Sequence, residues 1–144
     1  MKALVAYDSQ TGHTKQAAQA IAEAVRGLGG EAVVKNVRHV AAEDVQAADV
    51  LFVGTWAHGL FIINVHPAGA KEWVPEFPPL TGKPVGVFCT YLLTPGSLLK
   101  QLGKMLEGRG ASVKGERKFH RSRPTEGAEA FVRGVVEAAG LLPR

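Results

Sequence analysis

The chain has 144 residues, 46% of them hydrophobic and 21% charged, with one cysteine and a formal net charge of +4. That length suits one domain, residues 1–144, able to bury roughly two thirds of its unfolded surface. Composition excludes an internal disulfide, a cysteine-built metal cluster and any apolar run near the roughly 20 residues of a bilayer span; the apolar stretch after Met1-Lys2 is too short for a signal-peptide core, so a cytoplasmic setting is expected.

Ala3-Leu4-Val5-Ala6-Tyr7 reads as a buried first strand. Ser9-Gln10-Thr11-Gly12-His13-Thr14 follows it and opens a helix whose inner face is Ala17, Ala18, Ile21, Ala22, Val25 and Leu28, stopped by Gly29-Gly30. Glu31 to Val37 is a short second strand rich in β-branched residues. Val50 to Gly54 is an almost wholly apolar third strand, as expected where helices cover both faces. Pro67 is placed to start a helix carrying Ala70, Trp73 and Val74, and Pro78-Pro79 breaks the chain before a fourth strand, Val85 to Thr90. Thr94-Pro95 reads as cap and first turn of a helix with Leu98, Leu99, Leu102, Met105 and Leu106 on one face, ended by Gly108 and Gly110. Ser112 to Phe119 is the fifth strand. Thr125 caps a last helix that turns Phe131, Val132, Val135, Val136 and Ala139 inward. This alternation predicts an α/β three-layer sandwich around a five-stranded parallel sheet of order 2-1-3-4-5.

Charge is distributed unevenly. Residues 1–70 hold five Lys/Arg against six Asp/Glu, whereas Lys100 to Arg123 holds eight basic residues against Glu107 and Glu116. Lys118, Arg121 and Arg123 are the densest part. Phe119 alone interleaves with them, so a nucleic-acid stacking platform is not expected; a solvated loop or an acidic protein partner fits better.

In a sheet of this order, ligands bind beyond the carboxyl ends of the strands, at the switch between strands one and three. Three segments meet there: residues 8–14, 55–66 and 90–95. The first has a strand, hydroxyls around a glycine, and a helix start, which is how backbone N–H groups and a helix dipole cradle a phosphate. Ser9, Thr11 and Thr14 offer hydroxyl donors, and Gly12 permits close backbone approach. The loop has no Lys, so it is not a Walker loop, and it has no G-x-G-x-x-G. The same residues also suit an ordinary capped helix.

The pattern S-x-T-G-x-T at Ser9 to Thr14 resembles the FMN-phosphate loop of the flavodoxins, and the likeness in strand order runs along nearly the whole chain. The family usually has Asn where this chain has His13. The resemblance implies a non-covalent FMN, with Ser9, Gln10, Thr11, Gly12, His13 and Thr14 at its phosphate. Thr55, Trp56, Ala57, His58 and Gly59 of the second segment, with Thr90 and Tyr91 of the third, would then hold the ring, Trp56 and Tyr91 sandwiching it; without a flavin both aromatics would simply cap the core. His13, His58 and His66 match no common metal-ligand spacing, so no metal is expected. Cys89 has no basic sequence neighbour and is expected as a buried small hydrophobe. A receiver domain is excluded because the third strand ends in Gly54-Thr55 rather than a phosphorylatable Asp.

No paired carboxylates and no nucleophile–base pair stand at this rim, so no catalytic residue is assigned. The resulting expectation is an FMN-binding electron carrier serving an acidic redox partner protein. Two alternatives stay open. One is an FMN-dependent oxidoreductase of the same fold, such as a quinone reductase or a flavodoxin-like protoporphyrinogen oxidase, with the apolar stretch Leu60-Phe61-Ile62-Ile63 over a flat substrate. The other is a flavin-free partner-binding module.

Overall fold

The computed structural model describes residues 1–60, 63–67 and 69–142, without the side chains of residues 58–60 and 63–66. Its strands are β1 (Lys2–Tyr7), β2 (Glu31–Asn36), β3 (Val50–Leu60), β4 (Ile63–Pro67), β5 (Pro84–Tyr91) and β6 (Ser112–His120). Its helices are α1 (His13–Gly27), α2 (Ala42–Ala47), α3 (Ala70–Trp73), α4 (Leu98–Glu107) and α5 (Ala128–Ala138). Five strands run parallel in the order β2-β1-β3-β5-β6, which is the expected 2-1-3-4-5 once the antiparallel β4 is set aside.

Alternation along the central strands sends Leu4, Leu51, Val53, Val85, Val87 and Cys89 into a core under α2, α3 and α4. The intervening residues Val5, Val50, Phe52 and Phe88 enter a second core under α1 and α5. Apolar area leaves water on both faces, and this two-sided burial is what holds so hydrophobic a sheet together. The close seat is Gly54, where a Cβ would lie 2.3 Å from the Phe88 ring.

Five details depart from the sequence reading. Residues 55–66 are not a loop: β3 continues as a strand to Leu60, and β4 pairs back on it antiparallel, Ala57 opposite Pro67. Pro67 therefore closes β4, and α3 starts after Gly69. Helix α4 begins at Leu98 behind Ser97, while the Thr94 hydroxyl instead accepts a hydrogen bond from Gly96 N–H at 3.2 Å. Helix α5 begins behind Gly127, whose φ of 87° a β-branched Thr would not adopt, and Thr125 lies two residues too early to cap it. The second strand also stops at Asn36, and Val37–His39 forms a 3-10 turn.

Candidate functional site

The first turn of α1 is open. Gly12 occupies its N-cap with φ 94°, and no side chain caps the helix. The helical ladder begins with Gln16 N–H donating to Gly12 O at 3.0 Å, so the N–H groups of His13, Thr14 and Lys15 precede it, as the first turn of any helix leaves them. Ser9 Oγ accepts from Gly12 N–H at 2.9 Å, which curls the loop and leaves the Ser9 hydroxyl proton for another acceptor. Thr11 Oγ1 and His13 Nδ1 lie 2.7 Å apart. A Cβ on Gly12 would meet nothing within 4 Å, so the space before the helix is empty rather than packed.

Thr14 holds a different position from the other hydroxyls. Its side chain is buried, and its Oγ1 lies 2.7 Å from Oγ1 of the buried Thr90. This bond ties the start of α1 to the end of β5, joining the first segment to the third. What Thr14 presents outward is its backbone N–H.

The carboxyl ends of β3 and β5 bring the second and third segments together. Trp56 pairs in register with Thr90, and Thr55 with the buried Cys89. Trp56 and Ala57 are partly buried, and the backbone of His58 and Gly59 continues β3 outward. The side chains of His58, Leu60, Ile63 and His66, and residues 61–62 of the apolar stretch, lie outside the described residues. Tyr91 ends β5 beside His120, their rings edge to face with centroids 5.2 Å apart. Burial pushes the Cys89 thiol up to about 12, Lys118 opposing and Glu116 assisting, so it is an inert filler beneath the rim. Among the described residues, no group of three or more His, Cys, Asp or Glu is placed to hold a metal ion.

Two features were not read from the sequence. Asp8, almost buried at the end of β1, is paired to Arg38 at 2.9 Å, and a Cβ on Gly69 would lie 3.2 Å from that guanidinium and 3.4 Å from the Asp8 carboxylate. A signal existed: a carboxylate at the end of a buried strand needs a cation. Tyr7 pairs with Asn36, which brings a basic residue just past β2 within reach. The second feature is the pair Leu92 and Leu93, 52% and 63% exposed just past Tyr91.

The sequence matches the family model described as Flavodoxin over residues 5–133. The chain belongs to the flavodoxin family. A flavodoxin of Aquifex aeolicus is 47% identical over 55 residues, a stretch that is 38% of this chain and 30% of that protein, so less than a third of that relative's length is matched. The two-electron reduced flavodoxin of Megasphaera elsdenii aligns with a TM-score of 0.74 at 25% identity, covering 96% of this chain and 98% of that one. Oxidised Flavodoxin 2 of Bacillus cereus gives a TM-score of 0.74 at 24% identity over 95% and 99% of the two chains, which shows the shared fold.

FMN is the cofactor of the family, and electron transfer is its work. The α1 loop fits the FMN phosphate on the geometry above: an uncapped helix start, an open space over Gly12, and hydroxyl donors at its edge. No described helix is long and apolar enough to cross a membrane.

Proposed function

We propose that this chain holds FMN non-covalently across its three segments and passes electrons to a protein partner with an acidic face. The observation that carries the reading is the uncapped first turn of α1 behind Gly12, at the switch point between β1 and β3. Ser9, Gln10, Thr11, Gly12, His13 and Thr14 would surround the phosphate; Thr55, Trp56, Ala57, His58, Gly59, Thr90 and Tyr91 would surround the ring. When bound, the flavin supplies the redox chemistry, and the protein supplies orientation and field.

A carrier is favoured over turnover of a small substrate by the state of the rim's ionisable groups. Asp8 is committed to Arg38, and Cys89 is buried and protonated. Segments 55–66 and 90–99 contain no Asp or Glu. Of the described residues at the strand ends, these two ionisable groups are thus held rather than poised. Few carboxylates near the ring also favour the added negative charge of the reduced flavin, so it should form more readily here than beside an acidic rim.

The partner reading rests on β6 and the loop after it. Lys114, Lys118, Arg121 and Arg123 are exposed there, and a cavity of about 390 Å³ lined by Lys100, Arg117 and Lys118, with Glu116 the one acidic member, opens beside them. Arg123 is partly answered by Glu126 at 3.3 Å. The exposed Leu92 and Leu93 adjoin this basic edge, giving an apolar tip within a positive field.

Purified protein tests the reading directly. FMN released from it, identified by mass spectrometry, is the expected result; flavin-free protein that takes up none would leave a partner-binding module. Electron transfer should slow as salt shortens the Debye length to about 8 Å and below, and changing Lys118, Arg121 and Arg123 to Ser should remove that dependence. Steady turnover of a quinone without a partner would instead favour the oxidoreductase, with the β3–β4 pair over its substrate.

A further inference from the structure

We infer that His120 is a positioning residue for the flavin ring, clasping the backbone that presents Tyr91. This rests on the FMN reading above. His120 closes β6 directly opposite Tyr91 in the β5–β6 register. Its Nε2 is 2.9 Å from Leu92 O. A carbonyl only accepts, so Nε2 carries the proton and Nδ1 is left as an acceptor. Nδ1 in turn receives Ser122 N–H at 3.2 Å and lies 2.7 Å from Ser122 Oγ. Both ring nitrogens are therefore used, and the tautomer is set by the fold.

The neighbouring residue adds a second tie, since Arg121 N–H donates to Tyr91 O at 2.8 Å. Two successive carbonyls, those of Tyr91 and Leu92, are thus held by the tip of the adjacent strand at the point where the chain leaves the sheet. Burial does not order this segment, because Leu92 and Leu93 are exposed. The polar clasp does, and the imidazole edge at 81° to the Tyr91 ring fixes the phenol's tilt as well. A turn pre-set in this way spares the ordering cost that flavin binding would otherwise carry.

Two variants separate ring packing from hydrogen bonding. His120→Phe keeps an aromatic edge against Tyr91 but makes neither hydrogen bond, whereas His120→Gln keeps an N–H able to reach Leu92 O. Affinity for FMN and for riboflavin should fall by the same factor in His120→Phe, about tenfold for one lost ordering hydrogen bond, and quenching of bound flavin fluorescence should weaken. His120→Gln should recover most of both, and Ser122→Ala should show a smaller loss of each. Unchanged affinity and quenching in His120→Phe, with only a lower melting temperature of the apoprotein, would overturn the proposal by making His120 a folding residue alone. Failure of His120→Gln to rescue would overturn it too. Trp56→Ala serves as the control: if it weakens both flavins and His120→Phe does not, the clasp has failed and the site stands; if neither weakens them, the site reading has failed first.

Discussion

The two ends of the candidate flavin site are built from different materials. The phosphate end is backbone: a six-residue turn, one glycine at φ 94°, and the uncapped start of α1. The ring end is assembled from residues far apart in sequence, with Trp56 beside Thr90 and Tyr91 beside His120. The first depends on local conformation and is specified within one short stretch. The second depends on the sheet being in register, so anything that shifts β3, β5 or β6 would move it. The Thr14–Thr90 bond joins the two ends.

The comparison breaks most sharply at Gly12. Val there would have to adopt a φ that costs a β-branched residue roughly 1–3 kcal/mol, and its side chain would enter the open space before the helix. Losing two charge-assisted hydrogen bonds to a phosphate costs about 3 kcal/mol. Titration of Gly12→Val should therefore show FMN weakened by about a hundredfold or more, with riboflavin changed far less. Equal losses for both ligands would move the phosphate elsewhere.

At the ring end, Trp56→Ala and Tyr91→Ala should each cost roughly 1–3 kcal/mol through lost apolar contact and stacking. FMN and riboflavin should lose alike, the opposite signature to Gly12. Calorimetric titration of both flavins on both variants checks this, and a loss confined to FMN would contradict it.

A smaller effect is expected at the charge pair beside the phosphate loop. Arg38→Ala frees the nearly buried Asp8 carboxylate beside a dianionic phosphate, and FMN should weaken by about 1 kcal/mol, since half of Arg38 already lies in water. Asp8→Asn in the same chain should return that loss. An additive double variant would show that the pair has no bearing on the phosphate.

Least affected is the thiol beneath the rim. Because the folded Cys89 ionises at about 12 against an ordinary value of 9.0, the unfolded state loses its proton first as pH rises. The stability it contributes is present below pH 9 and lost between about 9 and 12. Alkylation of Cys89 near pH 8 should follow global unfolding, with or without flavin. Rapid labelling of the native protein would mean the thiol is reachable.

How much of this was legible in the sequence follows from the same contrast. Strand order, both helix-covered faces and the start of α1 behind Gly12 are local or periodic signals, and they read correctly. The continuation of β3 through Trp56 to Leu60 did not, because it is held by pairing to β4 and β5 rather than by its own alternation. Thr94-Pro95 and Thr125 carry strong helix-start signals, yet the helices begin two or three residues later, behind Ser97 and Gly127, where Leu98 and Ala128 are buried. Arg38 with Asp8 is separated by 30 positions and His120 with Leu92 by 28, so neither pair leaves a local pattern. Thr14 was read as facing the phosphate, and only the fold shows its hydroxyl turned to Thr90.

Backbone N–H groups at the start of α1 are proposed to hold the FMN phosphate. Amide resonances of isotope-labelled apoprotein, titrated with FMN and separately with riboflavin, test it most directly. The amides of Gln10 to Lys15 should shift strongly and gain exchange protection with FMN and stay nearly still with riboflavin, while those around Trp56 and Tyr91 respond to both. Unmoved amides at Gly12, His13 and Thr14 in the presence of bound FMN would contradict the account.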